Sequence, residues 1–442
     1  MERLPETEDQ KHYRRETLPE TESLLELSSP QQSQPLRKES IETEIEDFPE
    51  GGTRAWAAVA GGGPSMRSVS TKTIIREDSP SKIAWIGSIQ LFLIFFFGLP
   101  IGKLFDDGYF HHLVGFGSAI YIFSYFMLSL AQPHNYYQVF LAQGVGVGIG
   151  MGLIYVPSLT LAFHYFKRRR ALAVGLSSTG AACGAIIQTI GLNHLINGKV
   201  GFAWGIRIFG FIFLILAIIG NLLMKPRLPP KRLRPGPQPK PDVKKIVTNI
   251  PLLLGILGTS LFLFSAFFPF FYTQLFAILH GISTNLAFYS ITILNAMTIA
   301  GRIVAGLMAD RYGYCLKLVV LLSTILMGST TFVMIKATTV HGLIAFTILY
   351  GFFSGAYTAL AASSISAYVD NPNEMGVALG YTMFIESFFV LVAQPVFGAI
   401  VDAPRYKWNN AIIAAAVIVY GGVALLLISR MLLAKHKKTW KF

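Results

Sequence analysis

Charge is what this 442-residue chain has little of: Asp, Glu, Lys and Arg make up 14% of it, against about 25% in soluble domains. Cysteine is nearly missing too. Cys183 and Cys315 both lie in or beside apolar runs and share no metal-ligand spacing, so neither a metal site nor a disulfide framework is supported. No Asn-x-Ser/Thr acceptor occurs, and residues 1–50 are too polar to begin a cleavable signal peptide. Ser/His/Asp, Cys/His and metal-binding arrangements of the required spacing are lacking; His111 and His112 read as an adjacent pair in a loop. The glycine run at 144–152 has no preceding strand, so it is not a phosphate-cradling loop, and an ATP-driven pump is excluded. No enzyme, cofactor or metal is implied.

What the chain has in abundance is apolar sequence: 52% of its residues are hydrophobic, and the mean hydropathy is +0.51. The few charges are segregated. Residues 1–82 hold 16 acidic and 11 basic residues, whereas residues 83–442 hold 8 acidic and 26 basic. Most of the latter basic residues fall in short gaps between long apolar runs, the pattern of membrane-protein loops rather than of a nucleic-acid-binding face.

A bilayer crossing needs roughly 20 apolar residues. Eleven runs qualify, near 83–103, 112–131, 138–164, 170–196, 203–224, 249–275, 284–308, 315–335, 341–366, 375–401 and 410–433. The expected organisation is an acidic disordered tail (1–50), a remnant of a first helix with its linker (51–82), and a first bundle (83–224). A basic, Pro-rich cytoplasmic link (225–248), a second bundle (249–433) and a basic tail (434–442) follow. Loops on the side of the central link hold twenty Lys and Arg, counting the C-terminal segment with Arg430; the opposite side holds five. That bias places the link and the C-terminus in the cytoplasm.

The bundles repeat. Gly102-Lys-Leu-Phe-Asp106 ends one run and Gly306-Leu-Met-Ala-Asp310 ends another, each followed by a Gly-containing turn. In the second half this turn follows the second span, but in the first half it follows the first. The first bundle is therefore expected to be one helix short, with a groove where that helix belongs. Ala55 to Gly63 remains as a stump; either the natural transcript encodes the rest of that helix, which the stump favours, or the segment passes back without a regular span.

The turn between paired helices, repeated in two bundles around a basic link, resembles the major facilitator superfamily. More narrowly, the chain is similar to its fungal monocarboxylate-porter branch. The residues carrying the likeness are Glu50 to Trp56, Ser81 to Gln90, the glycine run Gln143 to Gly152, Tyr165 to Ala173, Gly301-Arg302 and Asp310-Arg311. The resemblance implies an all-α membrane protein of two pseudo-symmetric bundles, here with about eleven spans. It also implies a secondary transporter working by alternating access. The partners implied are a small-molecule substrate, protons in a coupled mechanism, and the lipid bilayer, most naturally that of the cell. The family branch includes uptake carriers and exporters of secondary metabolites. In animal members a carboxylate stands one turn before the arginine matching Arg302 and takes part in proton coupling; Thr298 stands there in this chain. That departure favours efflux of a small organic acid or secondary metabolite. Proton-coupled monocarboxylate uptake and a non-transporting sensor or relic are the alternatives.

Among individual residues, Arg302 lies inside an apolar span, where a charge costs a few kcal/mol and usually faces the bundle interior. Two readings stand: a structurally paired or snorkelling arginine, and an anion site, for which the guanidinium fork is well shaped. Glu386 is the only carboxylate deep in any span. A carboxyl at such depth is least costly as the neutral acid, which fits a proton or substrate role; a structural hydrogen bond or a salt bridge to Arg302 is the alternative. Asn295, two helical turns before Arg302, shares its face. Tyr155 and Gln143 join these as candidate substrate ligands, with helix–helix hydrogen bonding as the competing role. Asp106, Asp310 and Arg311 are expected at a cytoplasmic gate. The alternating glycines are expected to serve close helix packing.

Overall fold

The computed structural model describes residues 80–132, 135–166, 169–226, 243–312, 316–369, 375–401 and 405–437. The acidic tail, the stump Ala55 to Gly63 and most of the central link lie outside the described residues, as does the side chain of Asp106. Among those described there is no strand, and eleven helices are long and apolar enough to cross a membrane. They are α1 (Pro80–Phe96, continued by Gly98–Asp106), α2 (Phe110–Ser129), α3 (Val147–Tyr165), α4 (Arg170–Asn197) and α5 (Gly201–Leu223) in the first bundle. The second bundle comprises α6 (Ile250–Leu279), α7 (Thr284–Tyr312), α8 (Leu316–Val333), α9 (Val340–Ser364), α10 (Met375–Val401) and α11 (Trp408–Lys437).

Local sequence accounts for the irregularities. α1 breaks at Phe97 because Pro100 has no N–H to offer the carbonyl four residues back. The Asn249 side chain caps α6, accepting the Leu252 N–H at 3.2 Å, and Thr339 caps α9 through the Gly342 N–H at 3.2 Å. His111 and His112 are not in a loop. They form the first turn of α2, where the His111 ring meets the Asn221 side chain at 3.2 Å, because the chain re-enters the helix immediately after the Gly108 turn.

The glycine run sits partly in a π-helical stretch, Phe140–Gly146, leading into α3. Its alternation serves two neighbours. A Cβ at Gly148 would lie 3.1 Å from the Gln90 backbone of α1, and one at Gly150 would lie 2.7 Å from the Tyr121 backbone of α2. Alternate glycines thus let α3 approach both helices at once, the close packing that membrane bundles rely on.

Each bundle has its own apolar core. Tyr121, Tyr125, Phe209 and Phe213 anchor the first; Phe262, Phe268, Phe346, Tyr350 and Phe397 anchor the second. The outward face of α5 exposes Ile215, Leu216, Ile218 and Leu222, the surface a hydrocarbon solvent would cover. Between bundles, α1 packs on α10 and α4 on α7. Phe92 and Phe96 of α1 meet Phe384 and Phe388 of α10 at ring-centroid distances of 5.3 to 6.3 Å.

Candidate functional site

A cavity of about 640 Å³ lies between the bundles and reaches into both. Its walls are mostly apolar, and the charged residues lining it are Arg302, Glu386 and Arg430. Arg302, Asn295, Glu386, Tyr155 and Gln143 all line it, so the five residues picked from sequence as substrate ligands are brought together.

Arg302 reaches this lumen from α7 because α4 lies directly against it. Gly175 of α4 has no side chain to hold the helices apart: a Cβ there would be 3.1 Å from the Arg302 carbonyl oxygen. Across this contact the Arg302 guanidinium donates to the Ser178 carbonyl of α4. Its Nε donates to the Thr358 hydroxyl of α9 at 3.3 Å. The arginine therefore ties the two bundles together while part of its head borders the cavity. Ser178 and Thr358 were not foreseen; nothing in sequence says which carbonyl or hydroxyl a buried arginine will face.

Glu386 of α10 is buried, and Thr259 of α6 interacts with its carboxyl. It makes no ion pair with Arg302 among the described residues; Tyr155 stands within electrostatic reach of both. Asn295 is buried, its amide donating to the Ile291 carbonyl at 2.8 Å, which leaves the amide oxygen toward other groups. Gln143 is buried within the π-helical stretch. Of the other glutamines at membrane depth, Gln188 bonds the Tyr125 hydroxyl at 2.8 Å, joining α4 to α2.

The expected gate residues separate in the structure. The Asp310 carboxylate at the end of α7 accepts the Ala171 N–H at 3.1 Å and the Leu172 N–H at 2.9 Å. It thereby caps α4 from the opposite bundle, satisfying two of the amides a helix start leaves open. Arg311 is exposed. Asp106 ends the continuation of α1.

The family model described as Major Facilitator Superfamily matches residues 58–389 and 292–441. The chain belongs to the major facilitator superfamily. This major facilitator protein is accordingly a multi-pass membrane transporter and not an enzyme. Its relatives include the aspyridones efflux protein apdF of Emericella nidulans, 36% identical over 86% of this chain and 78% of that protein. The MFS-type transporter pynF of Aspergillus niger is 33% identical over 88% of this chain and 91% of its own. In fold, the chain resembles the E. coli fucose:proton symporter FucP, with a TM-score of 0.60 and 14% identity over 85% of this chain and 96% of that one.

Proposed function

We propose that this transporter exports a small organic acid or a secondary metabolite bearing an acidic or strongly polar end, carrying it out of the cell that makes it. The observation that supports this most is Arg302, whose head borders a largely apolar lumen between the bundles. A guanidinium there suits a carboxylate or polarised carbonyl, while the apolar walls suit an organic body. Similarity to an aspyridones efflux protein supports the outward direction. The cell membrane is the setting this role requires, and the monocarboxylate-porter likeness fits an acidic cargo.

A proton-coupled reading has one specific support: Glu386 lines the same cavity and is close to Tyr155. Coupling in this chain would then run through Glu386 rather than through the position held by Thr298. Export is tested by metabolite profiling of a producing strain with and without the protein. Loss of the protein should raise the intracellular-to-extracellular ratio of an acidic product. An unchanged ratio for every acidic product, or accumulation that depends on uptake from the medium, would reject the efflux reading.

A further inference from the structure

Arg430 counts by sequence with the cytoplasmic basic residues that orient the chain, but its side chain is turned inward. The neighbouring Ser429 hydroxyl donates to the Pro251 carbonyl at 2.6 Å and meets the Tyr368 hydroxyl at 2.8 Å. These contacts fasten the inner end of α11 to the first turn of α6 and to the chain just beyond α9. A Cβ on Gly255 would come within 2.7 Å of the Tyr368 hydroxyl, so the fit there depends on a glycine. One residue on, Arg430 lines the cavity, as do Leu426 one turn earlier on α11 and the clustered Leu252, Ile256 and Leu379. The residue is half-buried, and its Nε is buried with no hydrogen-bond partner among the described residues. Arg302 in contrast spends donors on Ser178 and Thr358.

An Nε–H buried beside leucines and isoleucines and unmet among the described residues gains from the arrival of an acceptor. Among the described residues Glu386 is the only carboxylate lining the cavity, and it is engaged elsewhere, with Thr259. Helix α6 serves as a ruler. Thr259 stands eight residues past Pro251, about 12 Å deeper at 1.5 Å per residue. Arg430 thus lies on the cytoplasmic side of Glu386, at the inner end of the lumen that contains Arg302.

We propose that Arg430 forms a second, cytoplasmic-side anion subsite, which receives the carboxylate of an amphiphilic organic acid while Leu252, Ile256, Leu379 and Leu426 receive its apolar body. Cargo would be held there before passing to Arg302, so the inference rests on the reading of the Arg302 cavity as the transport path.

The test uses the full chain in lipid nanodiscs and isothermal titration with 1-naphthoate, with neutral 1-naphthamide as the control. The wild type should bind two naphthoates. Arg430→Gln should lose one of them, or bind it about tenfold more weakly, the size of one hydrogen bond to a charged group. Arg430→Lys should keep part of the affinity, and its melting profile guards against misfolding. Naphthamide should not distinguish wild type from Arg430→Gln. Loss in Arg302→Gln but none in Arg430→Gln overturns the subsite and leaves the proposed function standing. Loss in Arg430→Gln alone keeps the subsite and removes the role of Arg302. No naphthoate binding by the wild type overturns both.

Discussion

The Asp310 carboxylate of α7 accepts the Leu172 N–H of α4 at 2.9 Å, so a residue of the second bundle caps a helix of the first. The contact lies at the end of the bundles where the Lys- and Arg-rich loops gather, and it must break if the bundles are to part there. It is a latch with a helix start as its keeper, strengthened by the partial positive charge that a helix N-terminus carries.

Asp310→Asn keeps the shape and removes the charge, and Asp310→Ala removes the acceptor. Loss of a helix cap costs about 1 kcal/mol, so the alanine variant should open this end more often. Hydrogen exchange over residues 170–175 should quicken in Asp310→Ala and less so in Asp310→Asn. Unchanged protection in both would show that the latch does not hold this end closed.

Helices α7 and α9 meet through Gly301 and Gly355, where a Cβ would collide with the Phe352 and Thr298 carbonyls respectively. Backbone cannot yield as a side-chain tip can. Gly301→Ala should therefore destabilise the second bundle by about 1–3 kcal/mol, the usual cost of overpacking. Gly421→Ala is the control, since its Cβ would meet only the Leu261 side chain at 3.8 Å. Thermal unfolding in detergent should separate the two variants clearly; equal melting temperatures would mean the α7–α9 contact can relax.

Arg302→Lys retains the charge but not the planar fork that spans Ser178 and Thr358. A lysine is a single point donor. Transport should fall steeply while the amount of protein in the membrane stays near wild type. Export at the wild-type rate by this variant would take Arg302 out of cargo recognition.

Glu386→Gln imitates the neutral acid and keeps the hydrogen bonding of the site. If transport is coupled to protons through this residue, the pH profile of export should flatten in the glutamine variant. A profile that keeps its wild-type shape would restrict Glu386 to a structural bond with Thr259.

Much of this protein was open to reading from its residues. Runs of apolar sequence fixed the eleven spans, because hydrocarbon tolerates backbone only when its hydrogen bonds close within a helix. The distribution of Lys and Arg gave an expected orientation, and the repeated Gly-x-x-x-Asp turn revealed two related bundles. Arg302, Asn295 and Glu386 stood out because polar groups at that depth are expensive, and expense without purpose is rare. Facing was another matter. In a membrane both the lipid side and the packed side of a helix are apolar, so the periodicity that aims a soluble helix is weak. Only the packing of α4 on α7 decided that Arg302 would meet the Ser178 carbonyl, and that Asp310 would cap a helix 138 residues away from it in sequence. Only the fastening of α11 to α6 turned Arg430 into the lumen, where a count of basic residues had grouped it with the C-terminal charges. Composition sets how deep a residue may lie, and the neighbours of its helix set what it touches.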